Sequence, residues 1–171
     1  MQPLSPLDGR YRGAVADLGI HLSEAGLNRA RIHVEIEWLI YLANQDVLGI
    51  DRPFTEAQIA QLRSVVTNFG DEDVAELAKT EAVTQHDVKA VEYYVRERLT
   101  QIGRSDLHEL THFACTSEDI NNLSYAVTVR DAIAQVWLPK VELLLNKLRE
   151  MSAKYAAVPM MSRTHGQPAT P

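Results

Sequence analysis

Cysteine is nearly absent. With Cys115 alone in 171 residues there is no internal disulfide to form and no cysteine-rich zinc cluster to build, which suits a reducing compartment. Long apolar runs are missing too. No stretch approaches the roughly 18 residues of a membrane span, and the opening MQPLSPLDGRYRG lacks the basic and then apolar order of a secretory leader. Nor does charge of one sign gather in a tail: the net charge of -6 comes from 17 scattered bases and 23 scattered acids. The basic footprint that nucleic acid or an anionic lipid surface requires is therefore lacking. Strand-type alternation of useful length, internal repeats and low-complexity segments are also absent. These absences predict a cytoplasmic, all-α protein with a small-molecule or protein partner, no nucleic acid and no membrane.

What is present is helical periodicity, in a chain whose 46% hydrophobic content is ample for a buried core. Leu27, Ile32, Ile36, Ile40 and Leu42 predict a long helix over 22–48. Thr55 and Gln58 form a capping-box pattern before Ile59, Leu62 and Val66, predicting a helix over 55–68. Two more helices are expected over 71–82 and 87–101, the latter carrying Val88, Val91, Tyr94, Val95 and Leu99 and stopped by Gly103. From Ser117 to about Ala157, apolar residues recur near a 3.5-residue period, which predicts one helix of about forty residues, with Pro139 kinking it and Pro159 ending it. A helix so long and so apolar needs other long helices beside it. The expected organisation is a small helical domain at 1–110 and, at 111–171, the first long helix of a bundle completed elsewhere.

Five motifs carry chemical meaning. HELTH at 108–112 matches H-E-x-x-H, in which His108 and His112 would hold zinc one turn apart while Glu109 activates a water. Against that zinc hydrolase reading, the stretch is confined between Gly103 and Thr116, and Glu118 stands where the extended motif has a third histidine. Thr116 to Asp119 is a capping box, and the helix start with two hydroxyls is equally a seat for a carboxylate or phosphate. Gln85, His86 and Asp87 form another helix entrance, with Asp87 expected to cap and His86 to point outward. DGRY at 8–11 is a turn with an aromatic anchor in which Arg10 could grip an oxyanion. In SRTHGQPATP, glycine and prolines around Thr164, His165 and Gln167 predict a fixed, non-helical backbone displaying polar side chains. A non-catalytic helical interaction module stays open as a further alternative.

In this order and spacing, DGRY, QHDVKAVEYY, HFACTSEDINNLS and SRTHGQPATP resemble the N-terminal portion of the adenylosuccinate lyases, a family of the fumarase/aspartase superfamily. The resemblance implies a β-elimination in purine biosynthesis: adenylosuccinate yields AMP and fumarate, and the related succinyl-carboxamide ribotide yields the carboxamide ribotide and fumarate. It implies no cofactor and no metal, and a homotetramer whose active site combines residues of three subunits. On the family pattern His165 is the general acid, and Arg10 with Tyr11 binds the nucleotide phosphate. Gln85, His86 and Asp87 would line the nucleotide and succinyl site, and Thr116 with Ser117 would hold a carboxylate. Gln85 departs from the asparagine or arginine usual before the HD pair. The family's catalytic serine lies in a GSSxMPxKxN loop that does not occur in these residues, so the 171-residue stretch is expected to be an inactive fragment with the apolar faces of 117–157 exposed.

Overall fold

The structure is a computed structural model and describes residues 3–45 and 52–169. Seven α-helices lie in the described residues: α1 Ala16–Leu22, α2 Glu24–Asn44, α3 Glu56–Thr67, α4 Asp71–Thr84, α5 Asp87–Gln101, α6 Ser117–Ala132 and α7 Leu138–Tyr155. A 3-10 helix spans Ser105–Leu110, a π-helical turn spans Ile133–Trp137, and two short strands, β1 Arg163–Thr164 and β2 Gln167–Pro168, close a hairpin. The all-α expectation is met. The chain forms two compact units, Met1–Ala132 and Ile133–Pro171.

Capping chemistry sets the helix limits in the first unit. The expected helix over 22–48 is broken at Ser23, whose extended backbone ends α1 and whose hydroxyl accepts the Gly26 N–H at 3.1 Å to start α2; residues 46–48 lie outside the described residues. Gly26 is required there, because a Cβ would sit 2.6 Å from the His21 carbonyl oxygen. Thr55 and Gln58 make the reciprocal capping box of α3, at 3.0 and 3.2 Å. Asp73 reaches back to the Gly70 N–H at 2.9 Å to begin α4.

Helix α2 is the centre of the first unit. Ala30, Ile32, Val34, Ile36, Leu39, Ile40, Leu42 and Ala43 are all buried, on more than one face, which is the mark of a helix enclosed by others. Its main core is shared with Leu62 of α3, Leu77 of α4, and Ala90, Val91, Val95 and Leu99 of α5. A smaller cluster joins Val34 to Val88 and Ile120, with Cys115 packed on it, and so holds the first turns of α5 and α6 against α2.

The expected forty-residue helix is three consecutive segments: α6, the π turn and α7. Pro139 has no N–H to give to the carbonyl four residues back, and the wider π register just before it shifts the pairing by one residue. Helix α7 ends at Tyr155, ahead of Pro159. No α7 residue is buried: Leu143, Leu144 and Leu148 are 71%, 58% and 53% exposed. An apolar face of that kind binds whatever apolar surface it meets. Replacing Leu144 and Leu148 together with lysine is expected to lower the fluorescence of a bound apolar dye and to raise the concentration at which the chain self-associates. The stability of the first unit should change by no more than about 0.5 kcal/mol, as urea unfolding would register.

Candidate functional site

Helix α4 ends at Gln85 in a left-handed conformation, φ 52°, and the chain turns at once into α5. The N-cap of α5 is His86: its Nδ1 accepts the Lys89 N–H at 3.1 Å, while Thr84 Oγ1 donates to the His86 carbonyl at 3.1 Å. This corrects the expectation that Asp87 caps and His86 points away. A β-region residue whose ring nitrogen reaches the third amide serves as a cap as a hydroxyl would. Asp87 is thereby free for a tertiary contact.

That contact is Arg31 of α2. Its side chain is buried, with Nη2 donating to Asp87 Oδ2 at 2.7 Å, Nε to Asn121 Oδ1 at 2.9 Å and Nη1 to Asn28 Oδ1 at 3.0 Å. Glu118 Oε1 takes the Asn121 amide at 3.2 Å, so that side chain is oriented from both ends. Burial alone would raise the Asp87 carboxyl, but the Val88 N–H and the Arg31 charge prevail and hold it below its ordinary value. One guanidinium therefore joins the QHD turn to the TSEDINN helix.

Above this junction lies a polar cleft of about 460 Å³, lined by Glu24, Asn28, Arg31, Glu81, Gln85, His86, Asp87 and Tyr125 among others. Of the expected site residues it gathers Gln85, His86 and Asp87. Arg10, Tyr11, Thr116 and Ser117 are not in its wall. Arg10 Nη2 donates to the Tyr11 hydroxyl at 2.6 Å with the guanidinium 4.5 Å from the Tyr11 ring centroid, in an exposed turn that Asp8 ties down through the Leu4 and Ser5 amides. Thr116 gives both its N–H and its hydroxyl to Asp119 Oδ2, at 2.7 and 2.8 Å. The Thr116 amide in turn keeps the Asp119 carboxyl below its ordinary value. Ser117 has no hydrogen-bond partner for its hydroxyl among the described residues, which makes it the available donor at this helix start.

The preceding segment is hung from α2. His112 Nδ1 and the fully buried Glu35 Oε1 share a 2.6 Å hydrogen bond, and Trp38 Nε1 donates to the Phe113 carbonyl at 2.8 Å. Between them the backbone takes left-handed conformations at His112 and Ala114, φ 63° and 58°. Burial pushes the Glu35 carboxyl up, against the opposing pull of His112. The zinc reading of HELTH fails on this geometry. His108 lies in a 3-10 helix that stops at Leu110, its Nε2 is 3.0 Å from Thr100 Oγ1, and Glu109 projects into solvent near Arg96, so no α-helical turn aligns the two histidines.

In the second unit, SRTHGQPA is a two-stranded hairpin with Arg163 opposite Pro168 and Thr164 opposite Gln167. His165 and Gly166 form its turn with φ 50° and 76°, the two positive angles of a tight hairpin, and His165 is exposed at the tip. The fixed, non-helical backbone expected here is what the unit contains.

Arg31, Glu35 and Trp38 escaped the reading by motif, and Asn121, inside TSEDINNLS, was given no role by it. The available signal was the pair of opposite charges at Arg31 and Glu35, four residues apart on a helix otherwise apolar around most of its circumference, where a charge must have a partner.

The family whose model matches is described as Lyase, over residues 9–171. The chain is 43% identical over 169 residues to adenylosuccinate lyase of Haemophilus influenzae, covering 98% of this chain and 37% of that protein. It is 43% identical over 171 residues to adenylosuccinate lyase of Escherichia coli strain K12, with the same 98% and 37% coverage. Against adenylosuccinate lyase of Dictyostelium discoideum the identity is 36% over 172 residues, 98% of this chain and 37% of that protein. The chain thus spans somewhat over a third of the length of these curated relatives.

The Arg31–Asp87 pair has a definite acid signature. Because the folded-state value of Asp87 is depressed, its contribution to stability is present above the ordinary 3.8 and is lost as pH falls through the folded value. The stability difference between the parent and Asp87→Asn, measured by unfolding at a series of pH values, should be largest above pH 3.8 and shrink below it.

Proposed function

The chain belongs to the lyase family, and from that premise we propose that it is the N-terminal part of an adenylosuccinate lyase that eliminates fumarate from adenylosuccinate and from the succinyl-carboxamide ribotide. The observation that carries this reading is the 43% identity, over 98% of the chain, to proteins bearing that name. The polar cleft at Gln85–Asp87 supports it, since a succinylated nucleotide needs fixed donors and acceptors rather than an apolar slot.

The reaction dictates the residue types. A base removes the proton beside the succinyl carboxylate, that electron pair becomes the new C=C bond, and the C–N bond breaks with its pair passing to the purine-side nitrogen. The nitrogen then needs a proton. His165 is the proposed donor, because a positioned imidazole can act as a general acid and the hairpin tip carries it. Charge accumulates on the carboxylate in the transition state, and donors fixed in advance stabilise it at little reorganisation cost. Ser117, beside Thr116 at the start of α6, is suited to that role. His86 and Asp87 would orient the succinyl and nucleotide portions, with Gln85 beside them, and Arg10 with Tyr11 would take the phosphate. The base is proposed to be a serine in a segment outside these 171 residues. The whole protein is proposed to act in the cytoplasm as a homotetramer, with the 111–171 region opening its central bundle and the exposed face of α7 covered there.

The test is the ultraviolet change on adenylosuccinate cleavage, followed with the full-length protein, its His165→Gln variant and the 171-residue chain. The full-length parent should turn over, and His165→Gln should lose about 10²–10⁴-fold in kcat, the usual contribution of a positioned acid. The short chain should be silent. An inactive full-length parent would overturn the assignment, and turnover by the short chain would overturn the proposed serine.

A further inference from the structure

Asn28, Arg31, Glu35 and Trp38 follow one another at intervals of three and four residues, so they form one stripe along α2. Every member of that stripe makes a polar contact, and the contacts divide by destination. Arg31 holds Asp87 and Asn121, Asn28 steadies Arg31, Glu35 holds His112, and Trp38 holds the Phe113 carbonyl. Arg31 is 5% exposed and Glu35 is 0% exposed. Charges so deeply buried are costly unless paired, and replacing such pairs with apolar side chains is often neutral or stabilising, so stability alone does not account for them. The segments they fix are the QHD turn and the approach to α6.

We propose that Arg31, supported by Asn28 and in line with Glu35 and Trp38, is a positioning residue that sets the QHD turn in register with the start of α6. The inference rests on the reaction proposed above, and it adds residues to which neither the motifs nor that reaction assigns a part. Arg31 acts through Asp87 and Asn121. Its three donors point in three fixed directions, and a planar fork can satisfy all three where the single ammonium of lysine cannot. A misplacement of about 1 Å in such a constellation can cost about 10²-fold in rate.

The experiment uses the full-length protein, with Arg31→Met, Arg31→Lys and, as control, Arg63→Gln. Arg63 makes an exposed pair with Glu37 at 2.7 Å and takes no part in the stripe. Arg31→Met should lower kcat by about 10²-fold while changing KM far less, Arg31→Lys should recover only part of the loss, and Arg63→Gln should match the parent. Hydrogen-exchange mass spectrometry on the same proteins gives a readout that needs no activity: Arg31→Met should speed exchange at residues 85–88 and 116–122 and leave α3 protected. A folded Arg31→Met with parental kcat, or with uniformly faster exchange, would overturn the positioning role. A parent that fails to cleave adenylosuccinate refutes the proposed reaction instead, and the exchange pattern then decides the register claim by itself.

Discussion

A buried guanidinium with three directed hydrogen bonds is the constraint on which the first unit turns. Arg31 is the point where α2, α5 and α6 meet through polar atoms, and the apolar contacts of Val34, Val88 and Ile120 close around the same place. Hydrophobic packing brings helices together but tolerates sliding; a fork bonded to Asp87 and Asn121 does not. The pairing links residues 56 and 90 positions apart in sequence, and two of its members, Arg31 and Asp87, line the polar cleft. Asp87 can take part because His86 has assumed the capping duty of α5, so a local substitution of one cap for another frees the tertiary contact.

The two units differ in how far they satisfy themselves. The first has a core with Ile32, Ile36, Leu39, Leu62, Val91, Val95 and Leu99 almost wholly out of solvent. The second is a helix with no buried residue, followed by a hairpin whose turn is fixed by two left-handed residues. Helices without a buried face draw little stability from propensity alone. The apolar side chains of α7 therefore lie open to solvent, while the hairpin owes its shape to local turn geometry.

Helix positions were legible where the governing chemistry is local. The Thr55 box, the span of α5 and the non-helical backbone of SRTHGQPA follow from spacing and turn residues alone, although the strand pairing of that last segment was not foreseen. The break at Ser23 was not legible, because the apolar spacing that marks α2 begins only at Leu27 and does not fix where the helix starts, and the close approach of Gly26 to His21 becomes visible only in three dimensions. HELTH was already disfavoured by its confinement between Gly103 and Thr116, and the structure agrees: H-E-x-x-H needs α-helical spacing, whereas the segment tightens to a 3-10 helix and then turns left-handed at His112. In the candidate site, the motif residues Gln85, His86 and Asp87 were readable and their neighbours were not. Arg31 and Asn121 acquire meaning only through each other, across a distance that periodicity cannot span.

The most direct measurement is a mutant cycle on kcat in the full-length protein, combining Arg31→Met with Asp87→Ala. If Arg31 acts through Asp87, the double variant falls well short of the product of the two single losses, because each substitution dismantles the same arrangement. Losses that simply multiply would mean that the two side chains act independently, and the account of a register held by Arg31 would be wrong.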